Sequence, residues 1–274
     1  KFDSPRRHPA MALRSAHRQD IRSRPSLKAI IDDTSATPLL RASALVQYGN
    51  LAPPDLSQTA GMLLASKNTL LRSSAVRASA PLPPTQRYLM LRTLINDPVQ
   101  GVRMAVAEQL AATPLQELRP QDAPPLLALF KEYEGVLNEH ADMPSSQLQL
   151  ANYWLARGDA SSAEAALKEA LQINAQLDPA RVNLADVLRA QGRDNEARAL
   201  LKQGIAMSFA PGALHHSLGL LEFREGNNTA AITELAKAAE LEVGGSRHRY
   251  VYAIALHDTG QPDQAFALLE QLNK

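Results

Sequence analysis

Seven histidines are the side chains most able to carry chemistry near neutral pH: His8, His17, His140, His215, His216, His248 and His257. Two ligands on one helix face need a separation of three or four, and no H-E-x-x-H or comparable metal spacing is present. His215 and His216 are adjacent, so they point to different parts of a helix surface, and His8 and His17 flank a basic stretch as surface residues. The chain has no cysteine, which removes disulfides, thiolate metal sites, Cys nucleophiles and haem attachment through C-x-x-C-H. Phosphate-cradling loops of the G-x-x-x-x-G-K-[ST] and G-x-G-x-x-G types are missing, as is the G-x-S-x-G elbow. Asp32-Asp33 is expected in a solvated turn, and Asn227-Asn228-Thr229, a formal glycosylation acceptor, falls in a turn as well. The expectation is a chain that is not an enzyme and holds no cofactor or metal. What remains is a set suited to gripping a peptide. Asn152 and Asn183 can donate to and accept from an extended backbone. Arg189, Arg224 and Arg247 can pair a carboxylate bidentately, Phe223 and Tyr250 can anchor apolar side chains, and Asp186, His216 and His257 complete the set.

The elements that must position these residues are helices. The sequence of 274 residues contains 45 Ala and 42 Leu, with aromatics at only 4%, which leaves little β-branched or aromatic material for a sheet. An all-α fold follows, and no run of about 18 apolar residues is present to span a membrane. Glycine recurs at Gly158, Gly192, Gly226 and Gly260, always 34 residues apart. An alanine follows five residues later at Ala163, Ala197, Ala231 and Ala265, and a small residue precedes seven residues earlier at Ala151, Ala185, Gly219 and Ala253. Helical hairpins explain the pattern. A helix such as 147–157 ends at a glycine, a second begins near Ser161, Asp194, Asn228 or Asp263, and small residues allow close backbone approach. Leu150, Leu167, Leu184, Leu201, Leu218, Leu235 and Leu269 are expected in the seams. One hairpin cannot bury its apolar face alone, so neighbours stack. This period and pattern resemble tetratricopeptide repeats. In such arrays first helices line the concave face, which places the ten candidate residues named above in a groove. The lysine-rich carboxylate clamp of some tetratricopeptide co-chaperones is not matched, because no groove-facing lysine is present.

The N-terminal half repeats differently. Leu40-Arg41, Leu71-Arg72 and Val102-Arg103 recur with a step of 31, as do Pro53 and Pro84. Each unit reads as an Ala-rich first helix, a proline turn and a second helix such as 86–95. The arginines are expected to serve structure, through hydrogen bonds or stem packing. The stretch Asp97-Pro98-Val99-Gln100-Gly101-Val102-Arg103 resembles the start of a HEAT-like repeat. A proline-rich connector over 113–125 leads into a helix over 126–137 that resembles a lone second helix of a repeat. The expected organisation is a basic N-terminal arm over 1–35, HEAT-like repeats over 36–119, a connecting half-repeat over 120–143 and four tetratricopeptide repeats over 144–274, together one curved α-solenoid.

Taken in order, PRRHPAMAL, TPLLRASAL, DPVQGVRMAVAEQLA, VNLADVLRAQGRDNEARALL and YVYAIALHDTGQPDQAFALLE resemble the C-terminal region of bacterial multihaem c-type cytochromes that carry such arrays. That resemblance implies an exported, periplasmic setting and a haem domain upstream in the same polypeptide; no haem-binding residue carries over to this chain. The net charge of +1 hides a division: residues 1–119 carry 16 Lys+Arg against 8 Asp+Glu, and residues 120–274 carry 13 against 20. The arm is read as a solvated, poorly packed segment or as a docking surface for an acidic partner. Nucleic acid is not expected, because Phe2 is the arm's single aromatic and a stacking platform is missing. Two functions are therefore carried: a scaffold that binds a protein or peptide in the groove, and an accessory region of an electron-transfer protein.

Overall fold

The computed structural model describes residues 8–242 and 247–272. The first seven residues of the expected arm, positions 243–246 and the last two residues lie outside the described part. Among the described residues the chain is all-helical, with sixteen α-helices and no strand. It divides into two compact units, Lys1–Val136 and Leu137–Lys274.

The N-terminal unit begins with α1 (Pro9–His17) and α2 (Arg24–Asp32), both within the expected arm. This corrects the expectation of poor packing. Ala16, Leu27 and Ile31 are almost wholly buried, and their helical spacing outweighs the basic charge around them. The acidic pair is corrected too: Asp32 ends α2 and pairs with Lys28, one turn earlier, at 2.8 Å. Six helices follow: α3 (Pro38–Asn50), α4 (Leu56–Leu64), α5 (Thr69–Ala78), α6 (Pro84–Leu91), α7 (Gln100–Leu110) and α8 (Ala123–Glu139), with α5 packed against α3, α4 and α7. The helix expected over 86–95 starts earlier and finishes as a 3-10 turn at Arg92–Leu94. The helix expected from Leu126 starts at Ala123, since Pro124 and Pro125 fall in its first turn, where a missing N–H costs nothing.

The step of 31 has a local cause. Thr37, Asn68 and Val99 precede α3, α5 and α7. The Thr37 hydroxyl accepts from Leu40 N–H at 3.3 Å, and the Asn68 side chain accepts from Leu70 and Leu71 N–H at 3.0 and 3.2 Å. Valine has no acceptor, and Asp97 takes the Val99 N–H at 2.9 Å instead. The three arginines serve structure, as their repetition implies. Arg41 donates to Ile31 C=O at 2.8 Å. Arg72 grips Asp97 bidentately at 3.0 and 3.1 Å, and Arg103 grips Glu132 at 3.0 and 2.6 Å. Both also reach six residues back, Arg72 to Ser66 C=O at 2.8 Å and Arg103 to Asp97 C=O at 2.7 Å. Burial alone raises the Asp97 carboxyl, but the Arg72 guanidinium and the Val99 N–H hold it below the usual carboxylate range. At Gly49, α3 and α5 touch so closely that a Cβ would stand 2.6 Å from Ala78 C=O.

The C-terminal unit holds four helix pairs: α9 (Pro144–Arg157) with α10 (Ala160–Ile173), α11 (Asp178–Ala190) with α12 (Asp194–Met207), α13 (Gly212–Arg224) with α14 (Asn228–Leu241), and α15 (Arg247–Asp258) with α16 (Pro262–Leu272). Gly158, Gly192, Gly226 and Gly260 all have positive φ, between 75° and 85°. After each, the next N–H donates five residues back at 2.9 Å: Asp159 to Trp154, Arg193 to Leu188, Asn227 to Glu222 and Gln261 to Leu256. This closes the first helix with backbone atoms and turns the chain directly into the second. The expected cap at Ser161 is Asp159 instead, whose carboxylate accepts from Ser162 N–H at 2.9 Å. Asp194 and Asn228 are already helical, because each second helix starts two residues after its glycine. The recurring alanines are buried, as are Leu150, Leu167, Leu184, Leu201, Leu218 and Leu235; Leu269, on the last helix, is half-buried.

Candidate binding face on the first helices

The first helices α9, α11, α13 and α15 carry all ten candidate residues. A step of 34 aligns them in columns: Leu148, Val182, His216 and Tyr250; Gln149, Asn183, Ser217 and Val251; Asn152, Asp186, Leu220 and Ile254; Leu155, Arg189, Phe223 and His257. Neighbouring columns meet across adjacent repeats, because the Asn183 amide N–H donates to the Asn152 side-chain carbonyl at 2.9 Å. By the same step Leu220 corresponds to Asn152 and Val251 to Asn183. In these two columns the side chains are polar on α9 and α11 and mainly apolar on α13 and α15, whereas the other two columns mix both kinds, with Leu155 38% exposed on α9 and His257 exposed on α15. Tyr250 is 54% exposed, Leu220 44% and Ile254 42%, while Phe223 and Val251 are half-buried.

The charged candidates divide. Arg189 pairs with Asp186 one turn away at 3.3 Å. Arg224 pairs with Asp194 of the preceding repeat. Arg247 is exposed at the start of α15. His257 is exposed and lies 3.0 Å from the Asp258 carboxylate. His216 is half-buried and stacks on His248 at 4.6 Å between ring centroids, with 27° between planes. Burial, then the charges of His248 and Arg247, pull His216 down to about 4.

Three features escaped the sequence. His215 is buried, and its Nδ1 lies 2.5 Å from Glu234 on the second helix of its own repeat. Arg198 bridges to Glu222 at 2.7 Å and to Glu225. Gln147, Arg181, His215 and Arg249 form a buried or half-buried polar column at the step of 34. In it, Gln147 and Arg181 reach six residues back, to Ala141 C=O at 3.0 Å and Ala175 C=O at 2.5 Å. The column is visible in the sequence once the step is known, but its partners depend on helix register. Among the described residues, no cluster of three or more His, Asp or Glu side chains is placed to hold a metal ion. No described helix is long and apolar enough to cross a membrane.

A tetratricopeptide repeat family model matches residues 154–210, and a second matches residues 246–271. The C-terminal unit carries tetratricopeptide repeats. Among solved structures, a tetratricopeptide repeat protein from Parabacteroides merdae ATCC 43184 superposes with a TM-score of 0.52 at 15% identity, covering 90% of this chain and 96% of that one. It shares the helical-repeat fold. A thermophilic tetratricopeptide protein of Thermus thermophilus matches at 22% identity and TM-score 0.44, over 73% of this chain and 98% of that one. MamA from Desulfovibrio magneticus RS-1 matches at 16% and 0.42, over 63% and 94%. No curated protein matches the sequence. The likeness of the whole chain to multihaem cytochromes, and of the N-terminal unit to HEAT repeats, rests on the sequence stretches alone.

Proposed function

We propose that the chain is a non-catalytic interaction scaffold whose tetratricopeptide unit binds an extended peptide along its first-helix face, with the HEAT-like N-terminal unit as a second helical platform. The observation that carries this is the exposure of Leu220, Tyr250 and Ile254 on the first helices α13 and α15, on the same face as the Asn152–Asn183 amide pair of α9 and α11. Large apolar side chains left open together on one face mark a contact surface rather than a solvated one. The two asparagines satisfy each other only in part, since each amide keeps donors and acceptors for a peptide backbone. Arg189 and Arg224 are already paired, so the carboxylate-binding role falls mainly to Arg247. The ligand is accordingly a peptide whose backbone meets the Asn152 and Asn183 amides and whose apolar side chains rest on Leu220, Tyr250 and Ile254. Peptides selected from a random displayed library on the full chain supply the probe. Replacing Asn183, Arg189 and Tyr250 together by Ala is expected to weaken the best peptide at least about tenfold with unchanged far-UV circular dichroism, as loss of an aromatic anchor implies. Unchanged affinity counts against the face.

A further inference from the structure

On the second-helix side of the C-terminal unit, α10 and α12 flank an open cleft of about 400 Å³ whose floor is α11. Its deepest charged group is Arg181, only 3% exposed. The guanidinium lacks a counter-charge. Nη2 donates to Ala175 C=O at 2.5 Å, and Nη1 makes long contacts to Gln203 Oε1 at 3.3 Å and Leu200 C=O at 3.5 Å. Nε is buried with no partner. Asp178, the nearest acid by its electrostatic effect, is instead engaged by the Ser208 hydroxyl at 2.5 Å. The other two cations of the cleft are satisfied: Lys168 by Glu164 at 2.7 Å, and Arg193 by Glu164 and Glu196 at 2.8 Å each. One buried positive charge is therefore left over, and a buried charge is costly until paired.

The packing around Arg181 is arranged to keep it there. The step of 34 puts Ala170 and Ala238 at the position that Gly204 holds in α12. A Cβ at Gly204 would stand 2.8 Å from Arg181 Nε. Glycine inside a helix is less favourable than alanine, and here it makes room for the Arg181 side chain. Beside that charge the cleft wall is aliphatic, with Leu171, Leu188 and Leu200. We infer that the cleft binds a carboxylate bearing an aliphatic tail, the carboxylate pairing with Arg181 and the tail lying on these leucines. Such a group is supplied either by a free aliphatic acid or by the free C-terminus of a peptide ending in an aliphatic residue.

The test titrates the full chain with sodium octanoate, with octanol as the uncharged control, and follows binding by calorimetry and the Arg181 Nε–H resonance by NMR. Octanoate is expected to bind at least about tenfold tighter than octanol and to move the Nε–H signal, since a charged bidentate contact is added. Arg181→Met, which keeps the aliphatic stem, is expected to bring octanoate down to the octanol level. If that variant does not fold, the wild-type comparison and the Nε–H signal decide alone. Equal binding of octanoate and octanol, an unmoved Nε–H signal, or unchanged octanoate binding in a folded Arg181→Met chain overturns the assignment. In a second arm, the tripeptide Ala-Ala-Leu is offered with a free and with an amidated C-terminus. Binding of the free form above octanoate assigns a chain terminus as the source, and binding below it assigns a free acid.

Discussion

In the N-terminal unit the feature repeated at every step is a side chain, and in the C-terminal unit it is a stretch of backbone. Arg41, Arg72 and Arg103 recur at 31 residues and tie their helices to a preceding carbonyl or a carboxylate farther along the chain. Gly158, Gly192, Gly226 and Gly260 recur at 34 and close each first helix through the same 2.9 Å backbone bond. The C-terminal unit has inter-repeat ion pairs as well, such as Arg198–Glu222, but these are not periodic: the positions equivalent to Arg198 are Glu164, Ile232 and Phe266. A period set by side-chain pairing concentrates stability in a few buried groups. A period set by a left-handed turn spreads it over equivalent glycines and frees side-chain positions on the first helices for other use.

The largest effect that can break this comparison is expected at Asp97. Its side chain is 4% exposed and that of Arg72 12%. Asp97→Ala strands the guanidinium and frees the Val99 N–H, so denaturant unfolding is expected to show a loss of about 3–5 kcal/mol; a loss near zero means that the arginine period is incidental. Next comes the glycine turn. Gly192→Ala forces a φ near 75° on a residue with a Cβ and is expected to cost about 1–2 kcal/mol. In the other unit Gly101, inside α7 with open space around its Cβ position, is expected to behave oppositely, Gly101→Ala stabilising by roughly 0.5–1 kcal/mol. Equal effects at both glycines would erase the distinction.

Acid is expected to separate the units more gently. An unfolded histidine titrates near 6.5, whereas His216 is held down to about 4. Between those values the unfolded chain takes a proton that the folded chain refuses. Stability is therefore full above about 6.5 and falls as the pH drops toward about 4. Glu164, held down to about 2 chiefly by Lys168, adds a second loss only between its ordinary 4.5 and about 2. The single tryptophan, Trp154, lies in the C-terminal unit, so its fluorescence during denaturant unfolding at stepped pH follows that unit. His216→Phe is expected to remove the upper window and leave the lower one.

Much of this architecture is legible in the residues. The 34-residue step located every glycine turn and the buried alanines, because a helix end and a close approach need those residue types locally. The 31-residue step located the arginines and their structural role, but not their partners. Asp97 and Glu132 lie 25 and 29 residues away, and which carboxylate meets which guanidinium is set by helix register. The same limit hid the His216–His248 stack and the Arg181–Gly204 contact. At α1 and α2 the basic charge masked a short apolar period at Leu27, Ile30 and Ile31. On the first-helix face the sequence named residues suited to binding, but not that Arg224 is engaged by Asp194, a pairing between repeats.

Hydrogen exchange of the full chain with and without a library-selected peptide tests peptide binding on the first helices most directly. Slowed exchange confined to the first helices α9, α11, α13 and α15, strongest around Leu220, Tyr250 and Ile254, is the predicted result. Protection that falls instead on the second helices or in the N-terminal unit contradicts it.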